Sequence, residues 1–109
     1  NPAANAFAEG FKAWLKEDSA RLTDNSNSEE ISAVTACGYD AYMAIYYALD
    51  KAQSTDGATL RDALAALDVP GLVTGDLKFD ENGDAIKSYA IIKTATTEGF
   101  VFADSVAIE

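Results

Sequence analysis

The apolar residues of this chain change their spacing once, near residue 70, and that change limits the folds open to it. Before that point they recur three and four positions apart, which places them on one face of a helix. After it they alternate with polar residues, which places them on one face of a strand. The sequence therefore predicts an α/β chain with a helical part, residues 1–70, and a strand part, residues 71–109. Three helices followed by about three β-strands are expected.

Three segments are predicted to be helical: Ala3 to about Lys16, about Ile31 to Gln53, and about Gly57 to Leu67. In the first, Phe7, Phe11 and Trp14 recur at i, i+4 and i+7, as in an amphipathic helix. Asp56 is the predicted N-cap of the third helix. Val69-Pro70-Gly71 is predicted to stop that helix, because proline disfavours helix at the residue before it.

The second helix follows a polar segment, Thr23–Ser28, whose short side chains favour a loop. Asn27 and Glu30 have the spacing of a capping pair, so we expect them to start this helix. It is apolar over most of its circumference, which predicts burial on more than one side. Its single cysteine, Cys37, is expected to be a small buried residue. Asp40, an acid on so apolar a helix, is expected to pair with or cap another group.

Three strands are predicted beyond residue 70, from three runs of alternating residues: one around Val73, Leu77 and Phe79, one at Tyr89 to Ile92, and one at Phe100 to Ile108. Asn82-Gly83 lies between the first two and is a strong hairpin signal. Asp80, Asn82 and Asp84 also alternate like calcium ligands, but an EF-hand loop needs glycine and glutamate where this chain has Ala85 and Ile91. A turn is therefore preferred to a metal site.

The charge and composition exclude several function classes. Eighteen acidic against eight basic residues give a net charge of −10, which disfavours contact with nucleic acids and anionic membranes. The chain has no histidine, so it lacks the usual general base and the commonest zinc ligand, and no metal or other cofactor is expected. One cysteine cannot form a disulfide within the chain. No segment approaches the roughly 20 apolar residues that span a bilayer.

The order of several short motifs resembles a known family. In the first half they are Asn1-Pro2, Asn5-Ala6-Phe7, Gly38-Tyr39-Asp40-Ala41 and Leu60-Arg61-Asp62-Ala63-Leu64. In the second half they are Gly71-Leu72-Val73-Thr74-Gly75, Phe79-Asp80, Asn82-Gly83-Asp84 and Lys87. Together they resemble the closing third of the branched-chain amino-acid-type (Leu/Ile/Val-binding) solute-binding proteins of ABC transporters. The resemblance covers essentially all 109 residues.

The resemblance implies a type I periplasmic binding protein, in which two α/β lobes close on a small ligand. Residues 1–109 are then expected to be a C-terminal fragment of such a bilobal protein, not an enzyme. The implied partners are an amino acid or similar small polar solute and a membrane permease. The implied location is either free in a periplasm or outside a single-membrane cell, tethered to the membrane through a region upstream of residue 1. Residues near Gly83 to Ser88 are expected to carry hinge motion between the lobes.

The candidate ligand-binding residues are Ser32, Val34 and Thr35. The N-terminus of a helix offers unpaired N–H groups to an anionic ligand. Some leucine-binding members of the family place an aromatic contact shortly before the Tyr-Asp-Ala-like motif, and by offset that contact falls at Val34. The alternative for these three residues is ordinary helix entry and packing.

Two alternatives to transport remain open. The chain could be an autonomous or self-associating interaction domain, forming a homodimer or exchanging elements between copies through exposed apolar faces. A small hydrolase that uses two of the eighteen acids is a third and weaker reading, because no fold geometry singles out a pair of carboxylates.

Overall fold

Residues 1–108 are described by a computed structural model, and the last residue of the predicted strand part, Glu109, lies outside it. The helices are α1 (Pro2–Lys16), α2 (Ser19–Asp24), α3 (Ala33–Ala52) and α4 (Gly57–Ala65). The strands are β1 (Asp68–Leu72), β2 (Gly75–Lys78), β3 (Tyr89–Thr96) and β4 (Gly99–Ala107). The predicted α/β class is confirmed, with one more helix and one more strand than expected.

The additional helix, α2, begins at Ser19, shortly after α1 ends at Lys16. Asp18 has an extended backbone and its carboxylate accepts a hydrogen bond from the Ala20 amide, so it caps α2. Arg21 reaches back from α2 to α1, where it pairs with Glu17 at 2.8 Å and lies over the Trp14 ring at 4.6 Å. The predicted loop therefore starts only after Asp24.

The start predicted for the second helix is wrong. Ser26 and Asn27 have φ angles of 59° and 53°, in the left-handed region, whereas a capping residue needs an extended backbone. The side-chain amide of Asn25 donates to the carbonyls of Ser28 (2.6 Å) and Glu30 (3.1 Å), which closes this segment into a loop. Ser32 is extended instead and caps α3.

The extra strand, β1, contains the residues predicted to stop the third helix. That helix, α4, has Asp56 as its N-cap, as predicted, and ends at Ala65. Val69-Pro70-Gly71 then lies inside β1, which pairs antiparallel with β2. Pro70 is accommodated because the pairing register shifts between Val69 and Leu72, and an irregular position does not require its missing N–H.

The Asn82-Gly83 turn is present but does not join two paired strands. Gly83 has a φ of 86°, and its N–H donates to the Asp80 carbonyl at 3.1 Å. Beyond the turn the chain runs back along the end of β2 through an antiparallel bridge between Phe79 and Ala85 and a hydrogen bond from the Ile86 amide to the Lys78 carbonyl, but it forms no strand there. The two strands predicted on either side of the turn do not form a hairpin with each other, because β2 pairs with β1 and β3 pairs with β4.

The second sheet is the hairpin of β3 and β4, and apolar side chains point from both of its faces. The pairing sets Ile91, Phe100 and Phe102 on one face. Ile92, Val101 and Val106 lie on the other face. All six are exposed, and Phe100 is 74% exposed.

The core lies between α3, α4 and the first sheet. Its buried members are Ala44, Ala48, Ala63, Leu67, Leu72 and Leu77. The outer side of α3 is open, since Tyr42 is 69% and Tyr46 55% exposed. The prediction that this helix is buried on more than one side is therefore wrong for this chain, and Cys37 is exposed rather than buried. None of the described residues covers this outer side.

Asp40 is the one buried charged residue of the described chain, with 4% of its surface exposed. Its carboxylate accepts hydrogen bonds from the backbone amides of Val73 (3.0 Å) and Thr74 (2.7 Å) in the turn between β1 and β2. The expectation that Asp40 pairs with another group is confirmed. A buried carboxylate is tolerated here because N–H donors replace its water.

Candidate functional site

The predicted site residues lie where the loop after α2 runs into α3. An open polar depression of about 430 Å³ is found at this point. It is lined by the loop, by the first residues of α3 and by one residue of the hairpin: Asn25, Ser26, Ser28, Glu30, Ile31, Ser32, Ala33 and Lys93. Of the three predicted residues, Ser32 lines the depression, whereas Val34 and Thr35 follow it in the first turn of the helix.

Ser32 and Thr35 are joined by their side chains. The Ser32 hydroxyl oxygen accepts a hydrogen bond from the Thr35 amide at 3.1 Å, and the two hydroxyl oxygens are 2.9 Å apart. The first amides of a helix have no acceptor within it, so those of Ala33 and Val34 remain available. Val34 is 79% exposed, which leaves an aliphatic surface beside these amides. The first turn therefore combines N–H donors, hydroxyls and one apolar side chain.

Charges of both signs border the depression. Lys93, on β3, brings an ammonium group, and the N-terminal end of α3 adds the positive end of the helix dipole. Glu30 brings a carboxylate from the loop. The neighbouring Glu29 is engaged by Lys16 of α1 at 3.1 Å. The depression therefore offers a positive group to a carboxylate and a negative group to an ammonium of one small molecule.

Sequence reasoning missed Glu30 as a lining residue, because it had been assigned to a cap, and it missed Lys93 altogether. Lys93 lies more than 55 residues from the start of α3, and nothing in its local sequence distinguishes it from a solvent-facing strand residue. Only the return of the hairpin toward the loop brings it to the depression.

A larger depression, of about 750 Å³, runs between α1, α3 and β1. Aromatic rings dominate it: Phe7 packs against Tyr39 with ring centroids 4.9 Å apart, and Phe11 lies 5.8 Å from Trp14. Few polar groups converge on it, so it can accept apolar chain but offers little to orient a polar solute. The described residues contain no cluster of acids and cysteine able to hold a metal ion. They also contain no helix long and apolar enough to cross a membrane.

Comparison with protein families gives a match over most of the chain. The model described as "Receptor family ligand binding region" matches residues 1–97. The chain belongs to this family. A comparison with curated protein sequences found no match.

Among solved structures, this ligand-binding region is similar to the leucine-binding protein LivK from Thermotoga maritima. The TM-score is 0.74 at 26% sequence identity, over 98% of this chain. The match covers 27% of LivK, so the chain spans about a quarter of that protein. The resemblance to type I periplasmic binding proteins drawn from the motifs is thereby confirmed, and so is the fold class. Both matches are to ligand-binding proteins rather than to enzymes.

Proposed function

We propose that this ligand-binding region forms the closing part of an extracytoplasmic solute-binding protein, which captures an amino acid of the branched-chain type for an ABC transporter. The observation that carries the proposal is the surplus of exposed surface. A folded monomer of 11.5 kDa exposes about 5,800 Å². This chain exposes 7920 Å². The difference is as large as a substantial protein–protein interface.

The overall dimensions agree with an incomplete unit. The radius of gyration is 16.6 Å. A compact domain of this length has a radius of gyration of about 13 Å. The chain is extended because the hairpin of β3 and β4 contributes no buried residue to the core. A chain with this shape is expected to gain its remaining contacts from other elements of the same fold.

The hairpin indicates what kind of element it needs. Strands whose two faces are both apolar belong in sheets covered by helices on each side, because a sheet with one wet face alternates apolar and polar residues. Ile91 and Phe102 on one face and Ile92 and Val106 on the other therefore favour an α/β lobe as the partner. We propose that residues 1–79 belong to one lobe and that the hairpin joins the sheet of the other.

The polar depression at the start of α3 suits the ends of an amino acid. The free amides of the first turn and Lys93 would attract a carboxylate, and Glu30 an ammonium group. Ser32 and Thr35 would hold the ligand through their hydroxyls, and Val34 would touch its aliphatic side chain. A permease partner and a location in the periplasm or outside the cell, with or without a membrane tether, follow from this role.

The proposal is tested by supplying the missing part. A chimera is made in which this chain replaces the matching quarter of Thermotoga maritima LivK, and leucine and the other amino acids are titrated into it by calorimetry. Binding is expected in the chimera and not in LivK lacking that quarter. Ser32→Ala in the chimera is expected to weaken binding about tenfold, the loss of one hydrogen bond to a charged group.

Ser54→Ala serves as the matched control, because Ser54 also bonds a backbone amide, that of Asp56, but lies at the entry to α4. It is expected to leave binding unchanged. A folded chimera that binds none of the amino acids would contradict the transport role. Equal losses in the two serine variants would contradict the placement of the site at α3.

Self-association is the second candidate, and the two exposed apolar faces of the hairpin favour it. Two copies could exchange hairpins and bury those faces in each other. The net charge of −10 on each copy opposes this. Sedimentation of the isolated chain at rising salt decides: a dimer that dissociates when Phe100→Ser and Phe102→Ser are introduced supports the second candidate, and a monomer throughout contradicts it.

A further inference from the structure

Residues from three of the separated sequence motifs contact a fourth motif at Leu72–Thr74, where β1 ends and the turn to β2 follows. Asp40 of α3 accepts hydrogen bonds from two backbone amides of this turn. The side-chain amide of Asn1 donates to the Leu72 carbonyl at 2.8 Å. The same Asn1 side chain caps α1. The turn is thus held by two helices at once.

The fourth contact comes from the segment that leads to the hairpin. The Lys87 ammonium donates to the Thr74 hydroxyl oxygen at 2.8 Å. Within residues 80–89 Lys87 is the only residue that is half-buried, and all others are exposed. The carbonyl of Lys78 also accepts from the Ile86 amide at 2.8 Å, one residue away. The last part of residues 80–88 is therefore hydrogen-bonded to the rest of the chain, whereas the turn before it is hydrogen-bonded only within itself.

Asp40 and Lys87 carry opposite charges on the two sides of Thr74, and both line a small depression of about 180 Å³. They form no direct ion pair within 4.0 Å among the described residues. Thr74 stands between them, giving its N–H to the acid and receiving a hydrogen bond from the base. Removing the Lys87 ammonium takes a hydrogen-bond donor from the Thr74 hydroxyl oxygen, and removing the Asp40 carboxylate leaves two amides of the turn without their acceptor, which is unfavourable.

We propose that Asp40, Thr74 and Lys87 form a clasp that sets the orientation of the hairpin relative to residues 1–79. Asp40 fixes the turn, Thr74 presents its hydroxyl, and Lys87 anchors the connecting segment to it. Asp40 is thereby a positioning residue for the hairpin as well as a buried support of the turn. The proposal concerns this chain alone and does not depend on the identity, or the existence, of a bound solute.

The clasp is tested by distances between spin labels in the 109-residue chain. Labels are placed at Ala58→Cys on α4 and Thr97→Cys at the tip of the hairpin, in a Cys37→Ala background, since all three positions are exposed. Double electron–electron resonance is expected to give one narrow distance distribution. Lys87→Met keeps the aliphatic stem and is expected to broaden that distribution about twofold, because one tether of a weakly packed element is lost.

Three further variants make the outcome specific. Thr74→Val, which removes the hydroxyl at constant shape, is expected to broaden the distribution like Lys87→Met, and Lys87→Arg to restore it. Lys78→Met is the matched control, because Lys78 also bonds an oxygen, that of Asp68 at 3.1 Å, but outside the clasp. It is expected to leave the distribution narrow.

If these residues only stabilised the fold, the midpoint of thermal unfolding, followed through the helical signal, would fall in step with the broadening of the distance distribution. The clasp requires instead that Lys87→Met leaves this midpoint within a few degrees while the distances spread. If Lys87→Met and Thr74→Val both keep the parent distribution, or if the parent distribution is already broad, the proposal is wrong. Neither result bears on solute binding by the chimera, so the two proposals fail separately.

Discussion

Residues 1–79 and the hairpin of β3 and β4 are both regular, hydrogen-bonded structures, yet only the first has an interior. In residues 1–79, small and branched side chains from α3, α4, β1 and β2 are buried together. In the hairpin the strands pair along their whole length apart from one register shift between Ile92 and Lys93, and none of the residues is fully buried. The difference shows that hydrogen bonds between paired strands and an apolar sequence do not by themselves make a hydrophobic core. A second layer is needed to bury apolar side chains, and none of the described residues supplies one for the hairpin.

The largest expected effect is a contrast between two apolar truncations. Leu77→Ala removes a buried side chain from the core and is expected to lower the free energy of unfolding by about 4 kcal/mol. Ile92→Ala makes a similar truncation on an exposed face of the hairpin and is expected to change it by less than about 0.5 kcal/mol. Urea unfolding followed by helical circular dichroism measures both. Equal losses would mean that the hairpin is packed in solution.

A second contrast tests the polar support of the core. Asp40→Ala leaves the amides of Val73 and Thr74 without an acceptor and is expected to cost about 3 kcal/mol. Asp50→Ala, on the exposed side of the same helix, is the control and is expected to cost less than about 0.5 kcal/mol. The same unfolding measurement applies. A small effect at Asp40 would show that water replaces the carboxylate readily.

A third prediction concerns the beginning of α3. Ser32→Ala removes the acceptor of the Thr35 amide and is expected to cost about 1 kcal/mol of stability. Asn27→Ala tests the start that the sequence had suggested. Because Asn27 lies outside the helix with a left-handed backbone, this variant is expected to leave the α3 N-terminus intact, as read from amide exchange of its first turn. Fraying of that turn in Asn27→Ala, and not in Ser32→Ala, would contradict the assignment.

The smallest effect is a dependence on pH. A backbone hydrogen bond from Thr59 lowers the pKa of Asp56, the cap of α4, and one from Asp84 lowers the pKa of Asp80 in the turn before Gly83. A carboxyl whose pKa is lower in the folded chain stabilises it above the unfolded pKa, about 3.9. That contribution is lost as the pH falls through the folded pKa.

Stability is therefore expected to fall as the pH drops past the unfolded pKa of about 3.9 toward the lower folded pKa. Asp56→Ser keeps a capping oxygen without a titrating group, so its unfolding midpoint is expected to depend less on pH over this interval. Denaturation at a series of pH values compares the variant with the parent chain. An unchanged slope would assign the dependence to other carboxylates.

The sequence was sufficient to predict the long amphipathic helices, but it was insufficient to predict the short elements and the strands that pair with each other. The periodic spacing of Phe7, Phe11 and Trp14 gave α1, and Asp56 gave the start of α4, because both signals are local. The six-residue helix α2 was missed because it is too short to show a period. Strand β1 was missed because Pro70-Gly71 usually ends structure, and only the register shift opposite β2 accommodates it.

Strand pairing and the site depended on distant residues. Asn82-Gly83 predicts a turn correctly but cannot say that β2 is already paired with β1. Ser32 was identified as a site candidate from a helix start placed two residues early, whereas Lys93 reaches the same depression only through the hairpin. The ligand roles of Ser32, Val34 and Thr35 stay predictions until the chimera is measured.

The turn at Leu72–Thr74 also constrains how related chains can diverge. Position 73 takes part in the contact with Asp40 only through its backbone amide, whereas positions 40, 74 and 87 contribute atoms that only certain side chains carry. We expect these three positions to be inherited as a set across the family, with an acid, a hydroxyl and a base exchanged together or kept together. Position 73, which lies among them, is then expected to vary independently of these three positions.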